Sequence, residues 1–172
     1  MVKGRLIRVI IDYVAKKKGV EGLKNLLDDV NKKSLLFTSE RDIIPGKNYP
    51  TKYLERVINS AVEVLNDKKL VREMGELFGE TMDIKFEGLF GRYPPRKSVQ
   101  KIVITMRKNL PMLHTGYRTL SRNTYWLIVS KMRKEHMNFV DGVMAKLFER
   151  HGGIASVNKK AYGNRIEYTV KF

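Results

Sequence analysis

The chain has 172 residues, enough for one domain with a sizeable buried core, and its 42% hydrophobic content is ordinary for a globular protein. It has no cysteine, which excludes a disulfide framework, a thiol nucleophile and a cysteine-ligated metal. No apolar run reaches the roughly 18 residues of a membrane span, while 34 Lys and Arg against 18 Asp and Glu give a net charge of +16 and direct attention to polyanions.

The N-terminus, MVKGRLIRVIIDYVAKKK, has the outline of a signal peptide. However, Arg8 and Asp12 interrupt its apolar part and no small-residue cleavage site follows, so a cytoplasmic protein is expected. The spacing of Leu6, Val9, Ile10, Tyr13 and Val14 predicts an amphipathic helix over 3–18, ended by Gly19. A short second helix over 20–30 turns Leu23, Leu26, Leu27 and Val30 inward. Pro45-Gly46 and Asn48-Tyr49-Pro50 mark turns. Thr51 is a fair N-cap for a helix to Leu65, Asn66-Asp67 breaks it, and another helix follows over 68–78. Pro94 and Pro95 make a loop, and Ser98 is expected to cap a helix over 99–114 that Pro111 kinks or ends.

The remaining segment reads as two hairpins joined by one helix. YRTL and TYWLIVS flank a turn at 121–123, and IASV and NRIEYTVKF flank one at 159–163. Between them EHMNFVDGVMAKLFERH carries Met137, Phe139, Val140, Val143, Met144, Leu147 and Phe148 as a helical stripe, with Gly152-Gly153 as the stop. A helix with one apolar face must cover a sheet with one apolar face. The expected fold is therefore a single α+β domain over 1–172. Residues 1–114 are mainly helical and 115–172 form a β-β-α-β-β unit with a four-stranded antiparallel sheet.

In their order along the chain, VKGRLIRVIIDYV, NYPTKYLERVINSAVEVL, LVREMGELFGE, FVDGVMAKLFERHGG and IEYTVKF resemble a known superfamily. It groups haem–nitric-oxide-binding (H-NOX) domains, 4-vinyl-reductase-type domains and the TRAPP Golgi-transport subunits, and the similarity is greatest to a haem-free branch. The resemblance implies a pocket for haem or another apolar small molecule between helices and sheet, and a homodimer. It also places His114 where the proximal haem ligand stands. The haem-binding members clamp the propionates with Tyr-x-Ser-x-Arg. Here Ser130 matches, Ile128 replaces the tyrosine, and the arginine comes one position late at Arg133. The stretch from His114 to this point is also shorter, so a domain without haem or other cofactor is expected.

No nucleophile–base pair or HExxH spacing is present, the carboxylates are scattered, and GKNYPTK lacks the phosphate-loop pattern, so an enzyme is not expected. Phe86, Phe90, Met106, Leu110, Phe139, Met144 and Phe148 are the candidate pocket lining, although Met and Phe at helical spacing are packing residues first. The alternative is a nucleic-acid-binding protein acting through charge. Its candidates are Lys16, Lys17, Lys18, Arg96, Lys97, Arg107, Lys108, Arg122, Lys131, Arg133 and Lys134, with Tyr93, Tyr117, Tyr125 and Trp126 available to stack bases. A merely solvated positive surface explains the same residues, and no helix-turn-helix, zinc-finger or RNA-recognition signature accompanies them. A protein-interaction scaffold is the third reading.

Overall fold

The computed structural model of the chain describes residues 1–32, 36–37, 39–82, 94–151 and 153–172, with Glu40 and His151 described by backbone alone. The elements in chain order are β1 (Val2–Lys3), α1 (Gly4–Asn31), β2 (Asn48–Tyr49), α2 (Thr51–Leu65), α3 (Lys68–Thr81) and α4 (Pro95–Asn109). They continue with β3 (His114–Ser121), β4 (Thr124–Ser130), α5 (Met137–His151), β5 (Ser156–Tyr162) and β6 (Arg165–Lys171). This is the α+β architecture expected from the periodicity, with a β1–β2 pair added near the N-terminus.

The two N-terminal helices abut end to end. Gly19, at φ 68° and ψ −162°, sits where only glycine is unstrained, and helix resumes directly after it. Between α2 and α3, Asn66 takes the left-handed conformation at φ 44° and closes α2. Asp67 then caps α3, its carboxylate accepting from the Lys69 and Leu70 amides at 2.7 and 3.0 Å. The break expected at Asn66-Asp67 is thus a C-cap followed at once by an N-cap.

Three boundaries differ from expectation. Helix α4 begins at Pro95, not after Ser98. Proline at the first helical position loses only an amide that had no helical partner, and Ser98 is buried inside the first turn. The helix stops at Asn109, so His114 opens β3 instead of ending a helix. In the second hairpin β5 runs on to Tyr162 and the turn falls at Gly163-Asn164, later than the expected 159–163. Strand β5 lies at the sheet edge with every residue exposed, so it lacks the apolar alternation that would have marked it.

The four-stranded sheet has the order β3-β4-β6-β5, every pair antiparallel. Its inner face carries Tyr125, Leu127 and Val129 from β4, paired with Val170, Tyr168 and Ile166 from β6, and all six are buried. Helices α4 and α5 lie on this face. Met106 of α4 and Met144 of α5 meet over Leu127 and Val129, and the Phe148 ring packs edge-on against Tyr168 at 5.4 Å. On its other side α5 packs against α3, with Phe78 and Phe139 at 5.2 Å.

The α3–α5 crossing is made by glycine. A Cβ on Gly75 would stand 2.1 Å from the Phe139 carbonyl oxygen, and one on Gly142 2.1 Å from the Arg72 carbonyl oxygen. The two backbones therefore touch, each through the other's glycine. Beyond α3, α1 packs against both α2 and α3, and one continuous apolar core joins all these layers.

Candidate ligand pocket and basic surfaces

The expected pocket residues that the structure describes are all in the interior, but at three different places. Met106, Leu110, Phe139, Met144 and Phe148 are 0–8% exposed. Met106 and Met144 face each other in the seam between α4, α5 and β4, which leaves no room for a water-sized molecule. Phe148 is taken up by Tyr168. Leu110 and Phe139 line a real hollow of about 60 Å³, enough for a few waters. Phe86 and Phe90 lie outside the described residues.

This hollow has an apolar floor and a polar rim. The floor is Ile58 from α2, Leu110 and Leu113 from the end of α4 and the turn after it, and Phe139 and Val140 from α5. The rim is Glu55 from α2 with Lys131, Arg133 and His136 from the β4–α5 connection. The connection is shaped by Lys131, whose φ of 62° turns the chain sharply as it leaves β4. The Met132 amide then donates to the Asn164 carbonyl at 3.3 Å, tying the connection to the second hairpin turn. Burial pushes the His136 imidazole below the usual histidine range and Arg133 adds to this, against the opposing pull of Glu135 and Glu55. His136 is thus a neutral ring at neutral pH, able to accept one hydrogen bond and donate another.

A wider cleft of about 650 Å³ lies nearby, between the α2–α3 junction, the first turns of α5 and the β5–β6 hairpin. Asp141 forms its most buried acidic wall and is fully engaged. Lys159 Nζ is 2.8 Å away, the Tyr168 hydroxyl donates at 3.4 Å, and Arg72 Nε is at 3.8 Å. Burial, reinforced by Asp141, raises the Tyr168 hydroxyl so that it stays protonated. Asp141 therefore bridges α3, α5, β5 and β6. Spacing along the chain gives no sign of these partners, because they come from segments far apart.

The expected basic residues are spread over separate elements. Lys16, Lys17 and Lys18 lie on α1 before its kink. Lys17 reaches Glu73 at 3.0 Å, beside the Tyr13 hydroxyl, which donates to the same carboxylate at 2.8 Å. Arg96 and Lys97 occupy the first turn of α4 and Lys108 its last, all exposed. Arg107 fastens α4 to β3, its Nε and Nη2 donating to the Thr115 carbonyl at 3.0 and 2.7 Å. Arg122 is at the β3–β4 turn, Lys131 and Arg133 share the rim of the hollow, and Lys134 lines the cleft. Of the aromatic candidates, Tyr125 is core, Tyr117 is half-buried and Trp126 lies on the uncovered side of the sheet, while Tyr93 lies outside the described residues.

His114 is exposed at the start of β3, while its neighbour Thr115 is buried. Strand alternation therefore puts His114 on the face turned away from α4 and α5, as it does Ile128 and Ser130 opposite. Among the described residues no group of three or more His, Asp or Glu side chains could hold a metal ion, and no helix is long and apolar enough to cross a membrane.

No family model matches the chain, and no curated protein matches it. Solved structures do. The Fe(II) unliganded H-NOX protein from K. algicida is 19% identical, with a TM-score of 0.63 over 99% of this chain and 96% of that one. A mutant of the T. Tengcongensis H-NOX protein is 14% identical, also with a TM-score of 0.63, over 99% of this chain and 97% of that one. The fold is that of an H-NOX domain.

Proposed function

We propose that this chain is a non-enzymatic, sensor-like domain that binds a small apolar molecule between α2, the end of α4 and α5, and does so without haem. The observation that carries the reading is the hollow floored by Ile58, Leu110, Phe139 and Val140 in an H-NOX fold. A cytoplasmic homodimer, related to the haem-free branch of the superfamily, is part of the same proposal.

Two features support a haem-free domain. The hollow holds about 60 Å³, whereas pockets for drug-sized ligands run to roughly 300–1,000 Å³. Of the two histidines whose side chains are described, His114 is on the outer side of the sheet and His136 is on the polar rim of the hollow. Neither of these two histidines stands on the apolar floor of the hollow, which supports reading the domain as haem-free.

The test is mass spectrometry of the purified protein, native and after organic extraction, for wild type and a Leu110→Phe variant that fills the hollow. A small apolar molecule present in wild type and missing from the variant is the expected result. Its absence from both overturns the pocket reading. A stoichiometric Soret band after incubation with haemin overturns the haem-free reading, and a monomer mass in the native spectrum overturns the dimer.

A further inference from the structure

We propose that the outer face of the four-stranded sheet is a binding platform for single-stranded nucleic acid. Among the described residues every helix that packs on the sheet does so on the inner face, so the outer face is bare. Register places Arg118 and Trp126 side by side on β3 and β4, and Tyr162, Arg165 and Ser130 in one row across β5, β6 and β4.

Two aromatic rings thus lie on this face, each beneath a guanidinium. Arg118 lies 5.0 Å from the centre of the Trp126 ring and Arg165 5.2 Å from that of Tyr162. Trp126 is half-buried, Tyr162 is 45% exposed, and strand geometry separates them by about 16 Å. Lys160 and Lys171 are exposed on the same side.

The charge is one-sided. The four strands contain a single carboxylate, Glu167. It is already engaged by Arg165 Nε at 3.1 Å and by the Trp126 ring N–H, which donates at 3.3 Å. Cations bordering flat rings suit a phosphate chain whose bases stack on aromatic or guanidinium planes. A duplex hides those base faces, so the unpaired strand is the matching form. A second copy of the chain would bring the same positive face against this one and be repelled. The platform also gives part of the +16 charge a purpose that the apolar hollow does not.

Trp126 is the only tryptophan, so its fluorescence reports this face alone. The experiment titrates the full chain with an oligothymidylate of about 12 nucleotides, then with a duplex of the same length. Quenching by the single strand is expected. Neutralising about four phosphates should weaken binding about 50-fold between roughly 50 and 200 mM salt. Tyr162→Ala and Lys160→Glu, both on the exposed edge strand, should each weaken it by about tenfold or more. Lys24→Glu on α1 makes the same charge change elsewhere and should alter it less than about threefold, with all variants checked for folding by circular dichroism. Absence of quenching at low salt overturns the proposal. So does equal affinity for the duplex, an effect of Lys24→Glu as large as that of Lys160→Glu, or quenching by phosphatidylserine vesicles in place of the oligonucleotide.

Discussion

The two faces of the C-terminal sheet are built from alternate residues of the same strands, yet they meet different fates. On the inner face Leu127, Val129, Ile166 and Val170 are 0–1% exposed under α4 and α5. On the outer face Trp126 and Ile128, equally apolar, remain half-exposed beside arginine and lysine. Hydrophobicity alone does not separate the two sets. The helix layer does, since burial needs a partner surface as well as an apolar side chain. The inner side is therefore where stability resides, and the outer side is where substitutions should be tolerated and contacts made.

That contrast can be broken most severely from the inside. Phe139→Ala removes a ring that packs on Phe78 and floors the hollow; a loss of about 3–5 kcal/mol is expected in urea unfolding followed by circular dichroism. Gly142→Ala should come next, at about 2–3 kcal/mol. The new methyl meets the Arg72 carbonyl oxygen of α3, and a backbone yields less readily than a side chain. The better helix propensity of alanine offsets about 1 kcal/mol of the clash, so a stabilised variant would show that the helices can part freely. Tyr168→Phe should cost about 1 kcal/mol, because Asp141 loses one of three partners and keeps Lys159 and Arg72.

The pH dependence is smaller still. The folded state holds His136 below its unfolded value of about 6.5, so the unfolded chain binds the extra proton first as the solution is acidified. Its contribution to stability is therefore complete above about pH 6.5 and falls as the pH drops from there toward the lowered folded value. A shallower dependence of the urea midpoint on pH is expected for His136→Gln across that window, and an unchanged slope would place the ring in solvent. Smallest of all, Thr169→Ala on the outer face should stay within about 0.5 kcal/mol, and a larger loss would mean that something covers this face.

Much of the fold is legible in the sequence because it follows from local spacing. The stripe from Phe139 to Phe148 specifies a helix with one buried side, and the alternation of Ile166, Tyr168 and Val170 specifies a strand with one buried face. Where the pattern is thin, the boundaries slip. Strand β5 shows no alternation because it is exposed throughout, and nothing local to Pro95 distinguishes the end of a loop from the start of a helix. Less of the candidate site is legible. Leu110 and Phe139 are among the expected pocket lining, but Glu55, Ile58 and His136 are not, since only the fold brings α2 and the β4–α5 connection to the hollow. Nor does any spacing signal the Arg165–Tyr162 stack, whose members sit across a turn that falls later than the pattern implies.

By itself, then, the sequence determined which residues alternate, where helices begin and end to within a turn or so, and that the surface carries a large positive excess. Those are properties of neighbours along the chain and of composition, which no packing can change. Only the tertiary structure decided which face of the sheet the helices would cover, that α3 and α5 would touch through Gly75 and Gly142, and that Asp141 would gather partners from three other elements. These depend on contacts between distant segments, where each residue's role is set by whichever surface reaches it first with a complementary shape or charge.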